Sequence, residues 1–492
     1  MSVTLHGPES LTPEVYEAVV YGGAQVEITE DALARVTLHR VRFMSHLATG
    51  VVCYGVNTGL GALSKTDLSD EDIAALPRQI LLGRAVAFGP PMPGEVARGA
   101  MLIKLSQFLS GATAVTPALC GRLVLALNDG MTPYIPAEGH GMAGEIVPLT
   151  HLAQTLLGEG RILEGGVAVS AASWLRAKGH PLYDPRPKEG IALINGIAVA
   201  PALAYHHLRG LRRLWDRLTL VASAAIEGLA APLEPYDPAV ALLRPEPGME
   251  EVAAAILAAV KGSAITRQKR QAPVSFRVIP QIHGSLLLAL DTLEAAILTE
   301  MQAVGDNPAF VLGRIPSEDR LLHCGNFHGA AMTAAIEATA LALAQAALLS
   351  ERRLQRLLDA RYTGLSPQLA LKPGLDAGMV AIHKAALAFA AQVKAQSVPP
   401  SLMHADSSFG QEDAMTMAIP ALDRLVSLMG LTDRLLACEL YTALAAIDQR
   451  GETPGAQVEA LRAEVRKFIP AYAGDRSYGT EIEALMEFLG RA

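Results

Sequence analysis

Aromatic residues are scarce. Phe, Trp and Tyr make up 5% of the 492 residues, with only two tryptophans, so a stacking platform for single-stranded nucleic acid is not expected. Charge is scarce too, at 18%, and the formal net charge is -8. That balance leaves no basic face for nucleic acid or an anionic membrane. So few charges imply that much surface is hidden, in a deep core or between subunits. The four cysteines, Cys53, Cys120, Cys324 and Cys438, form no C-x-x-C pair, so neither a zinc knuckle nor a disulfide scaffold is indicated. The histidines lack the spacing of a metal site, and neither a P-loop nor a G-x-S-x-G elbow is present. The opening stretch MSVTLHGPESLTPEVY has Glu and Pro early and no apolar segment. No signal peptide is therefore expected, and a cytoplasmic, reducing setting is.

What is plentiful is apolar sequence, at 51%, enough for a large core. Strand signals are few, and Ala- and Leu-rich runs at helical spacing dominate. Long apolar helices are predicted near residues 196–230, 280–302, 328–361 and 374–396. None has a broad polar face, so each should be buried on most sides of an elongated bundle. The run from Ala330 to Ser350 is long enough to span a membrane, but Glu337, Gln345 and its small residues favour a bundle helix. The expected domains are residues 1–195, carrying the active site, and 196–492, the long-helix bundle with a C-terminal helical part.

Between the helices lie polar, glycine-bearing loops, where a helical protein builds its site. Tyr54 opens YGVNTGLG, whose glycines let the backbone bend over a ligand. A phenol held there works as a base if its neighbours lower its pKa. Arg277, in PVSFR, presents a fork suited to a carboxylate. Arg84 lies in an apolar run, where an arginine needs a partner or a polar pocket. Asn195, Asn326, Gln411 and Glu412 flank glycines, and His140, His283, His328 and His404 are scattered. Taken singly, each also reads as a cap, a turn former or a satisfied core group.

Together these segments resemble the histidine and aromatic amino-acid ammonia-lyases and related aminomutases. The resemblance runs from LTPEVYEAVVYGGAQVEITEDALARV through YGVNTGLGAL, EIVPLTHLAQTLLGEG, EGIALINGIA, PVSFRVIPQIHG, DNPAFV, GNFHG and SERR to QEDAMTM. It implies a mainly α fold, with an N-terminal active-site domain and a long central helical bundle. It also implies a homotetramer whose active sites draw on three subunits. By the resemblance, Tyr54 is the base and Arg277 the carboxylate-binding arginine. Asn195, Gln281, Asn326, Phe327, Gln411 and Glu412 match positions that line or support the family's pocket. Arg84 stands where histidine-specific members carry a ring-selecting histidine.

The same resemblance implies a prosthetic group that this chain departs from. Family members cyclise an Ala-Ser-Gly triplet to 4-methylidene-imidazole-5-one (MIO), and the serine hydroxyl leaves to create the reactive methylidene carbon. This chain reads Gly141-Met142-Ala143-Gly144-Glu145 at that place, and alanine has no leaving group. Further departures are Ala272, Val274 in place of a catalytic tyrosine, Gln302 and Ala414. They are spread over several segments, as in natural divergence. No MIO and no other cofactor is expected.

Three functions follow as expectations. The first is a divergent enzyme working without MIO on a small polar or anionic carboxylate, by Tyr-assisted elimination, isomerisation, cyclisation or C–C cleavage, with His140, Glu145 and His404 as acid–base candidates. The second is a non-catalytic homologue that binds a small molecule. The third is a true ammonia-lyase or aminomutase. The pocket is expected where subunits join, with Tyr54, Arg84, Asn195, Arg277 and Glu412 around it.

Overall fold

The computed structural model describes residues 1–491 other than Lys269 and His404. The fold is mostly helical. Besides Glu30–Leu47 in the N-terminal part, five long helices are central to the architecture: α1 Val199–Leu229, α2 Ile279–Gln302, α3 Ala330–Leu357, α4 Val380–Ala395 and α5 Ala418–Arg450. The first four are those predicted from apolar runs. The fifth, with 33 residues the longest, escapes that criterion because Asp423, Arg424, Asp433 and Arg434 interrupt its apolar run. The sheets among the described residues are two-stranded. One of them, β1 Ala309–Val311 with β2 Arg320–Leu322, is an antiparallel hairpin that enters the site described below.

The chain divides into two compact units. The first is Met1–His206, Glu294–Ala334 and Pro400–Leu422; the second is His207–Leu293, Ala335–Pro399 and Asp423–Ala492. This corrects the boundary expected at residue 195. The divisions fall inside α1, α2, α3 and α5, so each of these four helices contributes residues to both units. A cut along the sequence fails because the polar loops at 303–329 and 400–417 pack with the N-terminal part, far from them in the chain.

In the first unit, the segment after the glycine-rich loop at 141–144 forms the helix Ile146–Ala153. Its His151 is buried, and its Nε2 accepts the Ala87 N–H at 3.1 Å. Burial, then the charges of His140 and Arg161, lower its pKa from 6.5 to about 4. The unfolded chain therefore binds a proton that the folded chain refuses between those values. Stability contributed by the neutral ring is present above pH 6.5 and is lost as pH falls toward 4. Fully buried His283 in the second unit acts in the same direction. We expect the urea midpoint to fall between pH 7 and 5, and to fall less in His151→Gln; an equal fall in both would show that His151 does not contribute.

The second unit contains a fully buried ion pair. Arg353 and Glu439 lie fully buried on α3 and α5 and pair through two hydrogen bonds, at 2.5 and 2.9 Å. Three helical stretches are long and apolar enough to cross a membrane by length and composition alone: Glu189–Leu229, which joins the short helix Glu189–Ile194 to α1, Ile279–Gln302 and Ala330–Leu357. The first is mostly buried within the protein, whereas most of the apolar window of α2 is not.

Candidate active site

Within the first unit, a cavity of about 520 Å³ is lined by Tyr54, Ala143, Ile146, Asn195, Asn307, His323, Cys324, Gly325, Phe327, Gln411 and Glu412. Five segments far apart in the chain converge there. Five of the residues singled out from the sequence meet on this one wall: Tyr54, Asn195, Phe327, Gln411 and Glu412.

The Tyr54 Oη accepts the Gly61 N–H at 2.8 Å, so the glycine-rich loop closes back on its own tyrosine. Gly61 has φ +57, and a Cβ there would press on Ser408 of the 400–417 loop. A phenol becomes a better base where its neighbours lower its pKa; here the net shift is upward. Burial raises it, and the Gly61 N–H and the Arg84 charge only partly offset that rise, while Glu412 adds to it. Arg84 does not line the cavity. Its half-buried guanidinium interacts electrostatically with Tyr54 and Glu412 and is itself lowered by burial.

Asn195 is held from below. Its Nδ2 donates to Asp306 Oδ1 at 2.8 Å and to the Asn307 carbonyl at 2.6 Å. The fully buried Lys104 donates to its backbone carbonyl at 2.9 Å, and Lys188 Nζ donates to Asp306 Oδ2 at 2.5 Å. Two lysines and one carboxylate thus lie buried under the cavity floor. Burial lowers Lys104 to about 8. Sequence reading missed this cluster because Lys104, Lys188 and Asp306 come from three distant segments and only folding buries them together; the one available signal was the DNPAFV segment, which carries Asp306 and Asn307.

Several expected residues lie elsewhere. Glu145 is not a cavity acid–base group. It is buried, and its two oxygens accept the N–H groups of Ala198, Val199 and Ala200 at 2.6–2.7 Å. The first turn of α1 has unsatisfied donors, and this carboxylate caps them. Burial pushes it up to about 7 against those three N–H groups. His140 also misses the cavity: its Nε2 lies 2.7 Å from the Pro136 carbonyl, and burial lowers its pKa. Asn326 is exposed and its side chain is not part of the wall. His404 lies outside the described residues. Arg277 and Gln281 belong to the second unit, where Arg277 Nε donates to the Ala272 carbonyl at 2.9 Å and the Gln281 Oε1 is buried without a partner among the described residues. His323, Cys324 and Asn307 are cavity residues that sequence reasoning did not single out. Among the described residues, no group of His, Cys, Asp and Glu could hold a metal.

The loop at 141–144 forms one edge of the cavity through Ala143. The Gly144 N–H donates to Thr416 Oγ1 at 2.9 Å, and the Met142 carbonyl accepts the Thr416 N–H at 3.1 Å.

The profile of the aromatic amino acid lyases matches residues 11–467. The chain belongs to that family. Histidine ammonia-lyase of Geobacillus sp. strain WCH70 is 32% identical over 486 residues, covering 98% of this chain and 95% of the relative. That of Bacillus subtilis strain 168 is 30% identical over 493 residues, covering 99% and 96%. Among solved structures, tyrosine aminomutase from Streptomyces globisporus matches with a TM-score of 0.87 at 26% identity, covering 100% and 97%. The ergothioneine-degrading ergothionase of Treponema denticola, in complex with desmethyl-ergothioneine sulfonic acid, matches with a TM-score of 0.93 at 24% identity, covering 100% and 99%. The mainly α, ammonia-lyase-like fold expected from the sequence is thus the fold of the family, and a lyase-type enzyme is what membership supports.

Proposed function

We propose that this lyase works without MIO, eliminating a leaving group from a small carboxylic acid with Tyr54 as general base. The residues present do not fit the prosthetic ring. Closing it needs the Gly144 nitrogen to add to the Met142 carbonyl carbon, a step that the contacts of both groups with Thr416 do not by themselves prevent. Even a closed ring would have no reactive carbon, because Ala143 has no β-leaving group. This is the observation that carries the reading.

Without an electrophile, the leaving group must depart on its own. A protonated amine loses a proton more readily than its C–N bond breaks, whereas a quaternary ammonium has no N–H proton and departs as a neutral tertiary amine. Among the cavity-lining residues the one carboxylate is Glu412, and Arg84 is not in the wall. That arrangement favours a cationic substituent over the second anionic end expected from the sequence. A cation in the cavity would also lower the Tyr54 pKa by its field, opposing the burial that raises it. In the reaction, Tyr54 Oη takes a proton from the carbon beside the C–N bond, the freed pair forms the C=C bond, and the C–N pair leaves on nitrogen. Asn195, Gln411 and Phe327 orient the acid. Arg277 is inferred to act as the carboxylate clamp, supplied by another copy in a homotetramer, which would also cover the exposed apolar face of α2. We place the enzyme in the cytoplasm, with no nucleic-acid or membrane partner. The ergothionase likeness carries the fold alone; it makes ergothioneine a sensible member of the substrate panel.

Three measurements test the reading. The intact mass should equal that of the unmodified chain, with no loss of two waters and no absorbance band beyond the tyrosine and tryptophan envelope. An assay of α-trimethylammonium acids, ergothioneine included, should release tertiary amine and an unsaturated acid, while histidine, phenylalanine and tyrosine should release no ammonia. Ammonia from those amino acids would make the protein an ordinary ammonia-lyase and refute the proposal.

A further inference from the structure

We propose that His323 is a positioning residue that sets where the Tyr54 phenol stands, and that couples this placement to ligand binding through its second ring nitrogen. The inference deepens the active-site reading above and rests on it for its functional half.

The hairpin β1–β2 fixes His323 in place. Its strands pair Ala309 with Leu322, so His323 follows directly on the last paired residue. Next to it, the Cys324 N–H donates to Asn307 Oδ1 at 2.8 Å, which ties the strand end to the start of the same hairpin. Tyr54, by contrast, opens a glycine-rich loop. The two are joined by one hydrogen bond: the Tyr54 backbone N–H donates to His323 Nε2 at 3.2 Å. A backbone N–H can only donate, so Nε2 offers its lone pair and the neutral ring carries its proton on Nδ1. The ring lies in the cavity wall, and Nδ1 has no protein partner among the described residues.

One imidazole therefore faces two ways. Nε2 anchors the backbone of the proposed base to the end of the β1–β2 hairpin. Nδ1–H is an unused donor for a ligand carboxylate or other acceptor in the cavity. An acceptor at Nδ1 makes Nε2 a better acceptor in turn, since hydrogen bonds in a chain polarise one another. Ligand binding then tightens the hold on Tyr54.

The test uses the full-length protein with three variants: His323→Phe, which keeps ring volume and loses both nitrogens; His323→Gln, whose amide can accept from Tyr54 and donate to a ligand; and Tyr54→Phe. In the ligand-free wild type, 15N-histidine spectra should show the His323 ring, assigned by its loss in His323→Gln, unprotonated at Nε2. Hydrogen exchange in the peptide spanning Tyr54–Gly61 should be about tenfold faster in His323→Phe, as expected for one lost hydrogen bond, and near wild type in His323→Gln. His323→Phe should lower kcat about tenfold on the quaternary-ammonium acid, and His323→Gln should restore most of it. A proton on Nε2, or unchanged exchange in His323→Phe, would overturn the proposal. If Tyr54→Phe stops turnover while His323→Phe leaves kcat unchanged, the positioning role falls and the active-site reading stands. If Tyr54→Phe leaves turnover intact, the active-site reading falls, and the exchange data alone decide whether His323 anchors the loop.

Discussion

Tyr54→Phe is expected to cut kcat by roughly 10²–10⁴-fold, the range for losing a positioned general base. The fold should barely notice. The phenol oxygen accepts one hydrogen bond, from the Gly61 N–H, so the variant should lose about 1 kcal/mol of stability. The pH profile carries a second signature. Burial first, and then the Glu412 charge, hold the phenol above its usual pKa, against Gly61 and Arg84. A base must be deprotonated to act, so the wild-type rate should climb with pH through the neutral and alkaline range. The residual rate of the variant should lose that climb. A variant retaining more than about a tenth of the wild-type kcat, with the same pH profile, would place the base elsewhere on the cavity wall.

Lys188→Met should be the most destabilising single change near the site, at about 3–5 kcal/mol, because it leaves a carboxylate buried without its partner. Lys188 and Asp306 have side chains 0% and 1% exposed, so water cannot replace the lost ammonium. Lys188 also sits at φ +80, a conformation rare for side-chain-bearing residues, which its surroundings must hold. Asp306 Oδ1 additionally accepts from Asn195 Nδ2 and from the Asn307 N–H. Loss of Lys188 should therefore reach the cavity wall and weaken ligand binding along with stability. Adding Asp306→Asn removes the stranded charge and keeps an acceptor, so the double variant should recover much of the loss in a denaturant titration. A double variant no more stable than Lys188→Met would show that the stranded charge is not the cause.

Much of the site was legible in the linear order of residues. Tyr54, Asn195, Phe327, Gln411 and Glu412 were singled out from short polar motifs, and they meet on one cavity wall because loops in a helical protein gather at the helix ends. Glu145 shows how such reading fails. A carboxylate beside glycines looks like an acid–base group. Only the folded chain places it at the N-terminus of α1, where three orphan N–H groups claim both its oxygens. His323 shows the reverse error: nothing in HCGNFHG marks its first histidine, and its importance comes from a backbone N–H that lies 269 residues away in the chain.

The amino-acid order by itself determined the family resemblance, four of the five long helices and the absence of a hydroxyl at residue 143, because each depends on local composition or on the identity of one side chain. The tertiary structure decided which polar groups face a cavity and which serve the backbone, where the two compact units divide, and the direction in which Tyr54 is shifted. Those outcomes depend on burial and on partners distant in sequence, and a charge or hydrogen bond acts through space, whatever the separation along the chain.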